Sequence, residues 1–307
     1  MGAHARSRDD PWPLRWARDL ARLVLPVECG GCGARDEVLC AACRALLAGP
    51  PRRCERTAPR LDRMDGRAPL PTWALAPYTG PVRELVVAWK DHGRLDLTGA
   101  LTGALAVAAR DVAAELHGAG LRGAGLRAPV LVVPAPSSGA ARRRRGADLV
   151  ALLARAVAVA CVAEGVPARP AAVLAQRRGV RDQAGLGVRA RGRNLGGQIR
   201  WRPRAPRPEA GQPVLLVDDV LTTGATLAAC AREVERAGGV VVGALTIAAT
   251  PPPGSRADHA RVDGWEGLPW GVTVRSRSRN GPTGTDDVVL PGVLAAGAEE
   301  VVWPDRP

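Results

Sequence analysis

Two carboxylates side by side at the end of an apolar run are the residues best placed to do chemistry. They are Asp218 and Asp219, within Val214-Leu-Leu-Val-Asp-Asp-Val-Leu-Thr-Thr-Gly-Ala-Thr226. Two adjacent acids that end a buried strand are costly without a task. A small, hydroxyl-rich turn follows. Thr222, Thr223 and Thr226 offer hydroxyl donors, and Gly224 and Ala225 keep the backbone open to close approach. A loop that leaves the carboxyl end of a strand and starts a helix aims free N–H groups and the positive helix end at one point. That point suits a phosphate monoester. The acids would repel a phosphate set directly on them. They suit sugar hydroxyls, or a metal ion, one sugar-length away. Phosphate at one end and a ribose diol at the other describe a phosphoribosyl group. The plainer alternative is a buried strand followed by a Thr-capped helix. No Gly-Lys-Ser/Thr follows, so Walker A chemistry fits poorly, and the dinucleotide fingerprint is absent.

The elements around this stretch must position it. Val214–Val217 reads as a strand, an Ala-rich helix runs to Gly238-Gly239, and Val240–Ala248 reads as a second strand. That order is a βαβ unit of a parallel sheet. Upstream, Pro129–Val133 is a short buried strand that ends at Pro134-Ala-Pro-Ser-Ser138. Arg142 to Arg145 then precede a helix over Ala147–Ala163. Four arginines before a helix start oppose its dipole, which a bound polyanion would relieve. A solvated basic turn is the alternative. Arg169–Ala175 reads as another strand. Residues 176–197 are Gly- and Arg-rich without periodicity, which marks a functional lid or a disordered stretch. Gln198–Trp201 reads as a short strand. Nearer the start, Tyr78 to Gly93 reads as a strand end, a turn at Gly80-Pro81 and a helix. Lys90 lies on that helix and is the only lysine among 43 basic residues. It marks a site that wants a compact point charge, or it is a chance surface lysine. Leu97–Leu116 reads as a long Ala/Leu helix.

A second constellation lies near the start: Cys29-Gly-Gly-Cys32 and Cys40-Ala-Ala-Cys43. Two Cys-x-x-Cys knuckles this close match a tetrahedral zinc site, with Gly30 and Gly31 permitting the tight turn. Four thiolates close the coordination sphere, so the site is structural. Two disulfides or free thiols are the alternative, which a reducing compartment disfavours. Cys54, Cys161 and Cys230 read as ordinary thiols.

The chain has 307 residues, 46% hydrophobic content and 3% aromatic content. That is enough for one substantial domain with additions, its core built from Ala, Val and Leu. The net charge of +13 suits anionic partners. No secretory signal and no membrane-length apolar run is visible. With seven cysteines, an odd number, this points to the cytoplasm. The expected organisation is a tail and amphipathic helix over 1–26, a zinc ribbon over 27–50 and a Pro/Arg-rich linker over 51–75. The main α/β domain follows over 76–249, then a largely disordered Pro/Gly-rich tail over 250–307.

Together these pieces resemble the ComF family, competence-associated proteins that pair an amino-terminal zinc ribbon with a type I phosphoribosyltransferase fold. The resemblance covers about residues 27–249. It is carried by the paired knuckles, Tyr78-x-Gly80 with Lys90, and Pro134-x-Pro136 followed by Arg145-Gly146. Asp182-Gln183-x-x-Leu186-x-x-Arg189-x-x-x-x-Asn194 and the acid motif complete it. The family usually has an aromatic residue and an Asn-Gln pair after the Arg-Gly. Here Ala147, Asp148 and Leu149 stand there. The resemblance implies a parallel sheet flanked by helices that binds PRPP with Mg2+, beside a structural Zn2+ on Cys29, Cys32, Cys40 and Cys43. It implies that Asp218 and Asp219 hold the ribose hydroxyls and that Thr222 to Thr226 cradle the 5′-phosphate, with Val220 and Leu221 also among the PRPP-binding residues. Ser137, Arg145 and Lys90 join the PRPP contacts. Arg177 or Arg178, in the loop, closes over the pyrophosphate and joins the acids in catalysis. Two readings follow. One is an enzyme that transfers the phosphoribosyl group to an unidentified nitrogen acceptor. The other is a non-catalytic accessory in DNA uptake that binds a PRPP-like ligand or single-stranded DNA beside a helicase.

Overall fold

The strand that carries the two acids sits near the middle of the sheet. The computed structural model describes residues 27–62, 68–118, 128–176, 199–252, 287–288 and 301–302. Strand β7, Pro213–Leu221, lies between β8, Val240–Ala249, and β3, Val130–Pro134, and runs parallel to both. β2, Thr72–Pro77, extends the sheet beyond β8, and β4, Ala168–Pro170, extends it beyond β3, again parallel. The two-residue β1, Arg52–Arg53, lies antiparallel on the outer edge of β2. The order is β1-β2-β8-β7-β3-β4. Nearly continuous apolar runs such as Val214–Val217 are what a parallel sheet covered on both faces requires.

Side chains of β7 alternate between those faces. Leu215 and Val217 join the core under α2 (Gly80–Lys90), α3 (Thr98–Gly118) and α5 (Leu149–Ala163). The same core takes in Cys43 of the short α1 (Ala41–Ala45). Val214 and Leu216 join the core under α6 (Ala225–Arg236). By composition and length, Leu95–His117 could cross a bilayer. Here Leu101, Leu105, Val112 and Leu116 are buried against the sheet side of the domain, as in a core helix.

Three features differ from the sequence reading. The first concerns the stretch expected to be a linker, 51–75. Within it, Arg52–Arg53 pair with Trp73 and Ala74, and two 3-10 turns, Glu55–Thr57 and Pro59–Leu61, follow. Cys54, Ala58, Leu61 and Leu70 are buried in the core under α6. Arg and Pro dominate the composition and hide an apolar spacing of 54, 58 and 61, which can cover one face of a helical segment.

The second is the expected strand over Arg169–Ala175, which divides. Ala168–Pro170 joins the main sheet, while β5, Leu174–Gln176, pairs antiparallel with β6, Ile199–Trp201, in a separate two-stranded sheet. Pro170 has no N–H to continue the ladder.

The third concerns Arg142–Arg145, which belong to a short helix of their own, α4, Gly139–Arg145. The next helix has its own cap: the Asp148 carboxylate accepts from Ala151 N at 3.3 Å. Arg142 lies 3.5 Å from the same carboxylate. The expected conflict with the dipole of that helix is thereby answered within the chain. Asp148 and the fully buried Leu149 occupy the positions where the resemblance expected Asn and Gln.

The expected lid over 176–197 lies outside the described residues, apart from Gln176 at the end of β5. Residues 1–26 lie outside them too. In the carboxy-terminal stretch, Asp287–Val288 pair with Val301–Val302.

Candidate phosphoribosyl site and cysteine cluster

β7 does not stop before the acids. It carries them: Asp218 pairs in register with Thr246, and Val220 with Ala248. Both carboxylates therefore belong to the strand. Asp219 continues the Leu215, Val217 series toward α2, and Asp218 continues the Val214, Leu216 series toward α6. Asp219 is 5% exposed, the one charged residue buried to this degree among the described residues. It is not alone. The Lys90 ammonium reaches it from the last position of α2, 2.8 Å from Oδ1 and 2.7 Å from Oδ2. The only lysine of the chain thus meets a carboxylate 129 positions away. Burial lowers the Lys90 pKa, but the charge and hydrogen bond of Asp219 more than offset this and leave it above the ordinary lysine value.

Asp218 has different surroundings. Burial first, and then the Asp219 charge, push it up to about 7, against an opposing pull from Lys90. Its oxygen accepts from Asp219 N at 2.8 Å. Its charge also helps raise the Cys230 thiol of α6, whose main cause is burial. Among the described residues, no cation forms an ion pair with Asp218.

Beyond the acids the loop turns sharply. Gly224 has φ +78°, and α6 starts at Ala225 without a side-chain cap on Gly224. Ala225 N donates weakly to Thr223 Oγ1 at 3.4 Å. Thr222 and Thr223 are exposed and Thr226 is half-buried, while Ala225 is buried. Leu221 is buried in the core and its carbonyl accepts from Thr250 N, so its side chain cannot face a ligand. Val220 is half-buried.

The open side of Gly224 serves a different contact from the one expected. A Cβ there would lie 2.6 Å from Leu61 Cγ and 3.2 Å from Ala58 Cβ. Arg60 N donates to the Thr223 carbonyl at 3.0 Å. The turn over Pro59–Leu61 therefore props the hydroxyl-rich loop from behind. Sequence reading missed this contact because Leu61 sits in a Pro/Arg-rich stretch.

On the neighbouring strand, Ala135 N donates to the Val217 carbonyl at 2.8 Å. This brings the Pro134–Ser138 loop beside the acids at the same carboxyl edge, with Ser137 half-buried. Arg145 is also half-buried, and its Nε is shielded from solvent without a hydrogen-bond partner among the described residues. Arg177 and Arg178 lie outside the described residues. The strands that flank them end side by side, Gln176 opposite Ile199.

The four cysteines also meet. The Sγ atoms of Cys29, Cys32, Cys40 and Cys43 lie within 4.8 Å of one another, with Cys32 and Cys40 at 3.6 Å. Zinc–sulfur bonds of about 2.3 Å in a tetrahedron put sulfurs about 3.8 Å apart. Cys40 N donates to Cys29 Sγ and Cys43 N to Cys40 Sγ, both at 3.4 Å, as suits thiolate ligands. The hydrogen bond with Cys43 is the main cause holding Cys32 down at about 5, while burial pushes Cys40 up to about 11. The bond with Cys32 raises Cys43 as well. Four thiolates so close need a cation, and the donor set fits Zn2+. The glycines of the first knuckle are there for space. A Cβ on Gly30 would meet Leu97 Cδ1 at 2.6 Å, and one on Gly31 would meet Cys43 Sγ at 2.8 Å. The positive φ of this turn belongs to Gly33.

Comparison with known proteins adds to this geometry. Residues 144–277 match the family described as phosphoribosyl transferase domain. Over 65 residues the chain is 46% identical to an adenine phosphoribosyltransferase of Synechococcus sp. (strain RCC307), which is 21% of this chain and 32% of that protein. The chain thus spans about a third of that relative's length. Among solved structures, a hypoxanthine phosphoribosyltransferase of Trypanosoma cruzi is similar at 19% identity, over 48% of this chain and 64% of that one, with a TM-score of 0.32. A mutant of the Trypanosoma cruzi enzyme, solved as a ternary substrates complex, is 15% identical over 50% of this chain and 78% of that one, with a TM-score of 0.32. The matched residues of the family include the acid strand, its loop and α6. The cysteine cluster and Lys90 lie outside them. The stretch that holds Asp218, Asp219 and the threonine-rich turn thus lies within the residues that match the phosphoribosyl transferase domain.

Proposed function

We propose that this protein binds PRPP at the carboxyl edge of β7 and β3 and transfers its phosphoribosyl group to a nitrogen nucleophile. One observation carries the reading: a half-neutralised acid pair adjoins an exposed threonine turn at a helix start, on a strand within the matched domain. The ribose diol would donate to Asp218 and Asp219. Lys90 cancels one of the two charges, so the pair accepts hydroxyls without repelling the phosphates strongly. Thr222, Thr223 and Thr226, with the N–H groups of the first α6 turn, would hold the 5′-phosphate. Ser137 and the unpartnered Nε of Arg145 would face the pyrophosphate. In the reaction, the bond from the anomeric carbon to the pyrophosphate oxygen breaks and its electron pair leaves on pyrophosphate. The nitrogen lone pair forms the new bond, and its proton passes to solvent. Mg2+ bound with PRPP would supply positive charge that favours departure of the pyrophosphate. The residues here orient the sugar and stabilise the leaving group.

The packing of a four-cysteine knuckle on this domain supports the finer assignment to ComF-like proteins. The test is calorimetry with PRPP and Mg2+ on the wild type and on Asp218→Ala/Asp219→Ala. The wild type should bind, and the double variant should lose at least about tenfold in affinity, worth ~1.4 kcal/mol. Equal binding by both would sink the site. Pyrophosphate release across a panel of nucleobases and amines then reads out transfer itself.

A further inference from the structure

One helix touches both the cysteine cluster and the acid strand. α2 starts against the first knuckle, since a Cβ on Gly31 would lie 3.1 Å from the Pro81 carbonyl oxygen as well as against Cys43. Its middle packs there too: Leu85 Cδ1 is 3.3 Å from the Cβ position of Gly30. Just past its end, Arg94 Nη1 donates to the Glu28 carbonyl at 3.0 Å, one residue before Cys29. The helix then ends on Lys90, which grips Asp219. The buried Trp89 fixes that end by donating to Thr98 Oγ1 at 3.0 Å. A helix of 11 residues is a stiff rod roughly 16 Å long. The chain supplies a second connection. From Cys43 it runs through β1 to the turn whose Arg60 N holds the Thr223 carbonyl and whose Leu61 backs Gly224.

We propose that the cysteine cluster and the acid strand are one coupled unit. Metal on the four thiols sets the position of α2, and Lys90, as a positioning residue, passes that position to Asp219. Metal occupancy and affinity for a phosphoribosyl ligand then rise together. The inference rests on the phosphoribosyl reading of the loop. Coupling of this kind is reciprocal: each ligand must tighten the other by the same factor. A knuckle that merely adheres to the domain would leave the sugar phosphate indifferent to the metal.

The test uses the full chain loaded with zinc, and ribose 5-phosphate as the probe. That probe needs no Mg2+, so a chelator can be added. Zinc loss to a coloured competing chelator is followed with and without saturating ribose 5-phosphate, and calorimetry gives sugar phosphate affinity before and after metal removal. We expect zinc to be held about tenfold more tightly when the sugar phosphate is present, within the usual span of coupling factors. Lys90→Met should keep its zinc and its cooperative unfolding, bind ribose 5-phosphate more weakly, and bring the coupling factor to about one. Lys90→Arg should restore part of it. If ribose 5-phosphate binds the wild type but leaves the chelation curve unmoved, the coupling is overturned and the loop reading stands. If it fails to bind the zinc-loaded wild type, both fall. Full coupling in Lys90→Met would overturn the role given to Lys90.

Discussion

Two faces of one sheet treat two adjacent carboxylates differently. On the α2 face, Asp219 is buried and clasped by Lys90. On the α6 face, Asp218 is half-buried, has no cationic partner among the described residues, and is pushed up to about 7. One acid is held in place by a cation. The other can change its protonation near neutral pH. A strand that puts successive side chains on opposite faces produces this division from two identical residues.

The largest expected effect comes from breaking the clasped side. Lys90→Met strands the Asp219 charge and should lower stability by about 2 kcal/mol, read from the urea midpoint. Breaking a fully buried pair costs more, but the Lys90 side chain is 36% exposed. Next comes the loop beyond Asp218. Gly224→Ala forces a Cβ into a left-handed turn and against Leu61, and should cost ~1–2 kcal/mol. In a Leu61→Ala background the loss should shrink, because the clash with Leu61 is gone and only the backbone strain and the closer approach to Ala58 remain. An undiminished loss would show that the contact with Leu61 has no part in it.

The smallest effect has the opposite sign. Asp218→Asn removes a charge that its surroundings disfavour, so at pH 8 it should stabilise the fold by under ~1 kcal/mol while weakening ligand binding. The pH window sharpens this. The folded pKa of Asp218 lies above its unfolded value, so the folded state binds more protons between them. Its contribution to stability is fully present below about pH 4 and is lost as pH rises to about 7. Wild-type stability should carry that downward component, and Asp218→Asn should lack it. The same slope in both proteins would remove the asymmetry between the two faces.

The acid motif was legible because its chemistry is local: a buried run, two charges and a turn within thirteen residues. The cysteine cluster was legible for the same reason. The lysine was visible only as the odd one out in an arginine-rich chain. Its partner was not, since nothing short of the fold brings position 90 to position 219. The prop behind the threonine turn was misread as linker because proline and arginine outnumber the three apolar residues that matter, Ala58, Leu61 and Cys54. The arginine run misled in a different way. Charge counting assigned it to a helix start, whereas the backbone spends it on a helix of its own and the cap falls to Asp148.

The two-residue β1 has a consequence for how this protein behaves among its neighbours. A parallel sheet with an open, apolar rim invites strands from other molecules and, in time, insoluble assemblies. Here the rim beside β2 is occupied by Arg52 and Arg53 running the opposite way. The Arg53 guanidinium lies 5.2 Å from the Trp73 ring centroid and is pinned by Glu55 at 2.6 Å and Glu115 at 3.6 Å. At the far rim, β4 is three residues long and ends in a proline. Each side of the sheet is thus closed by a short strand that is charged or lacks a donor, and the protein should stay dispersed even though its interior is almost wholly aliphatic.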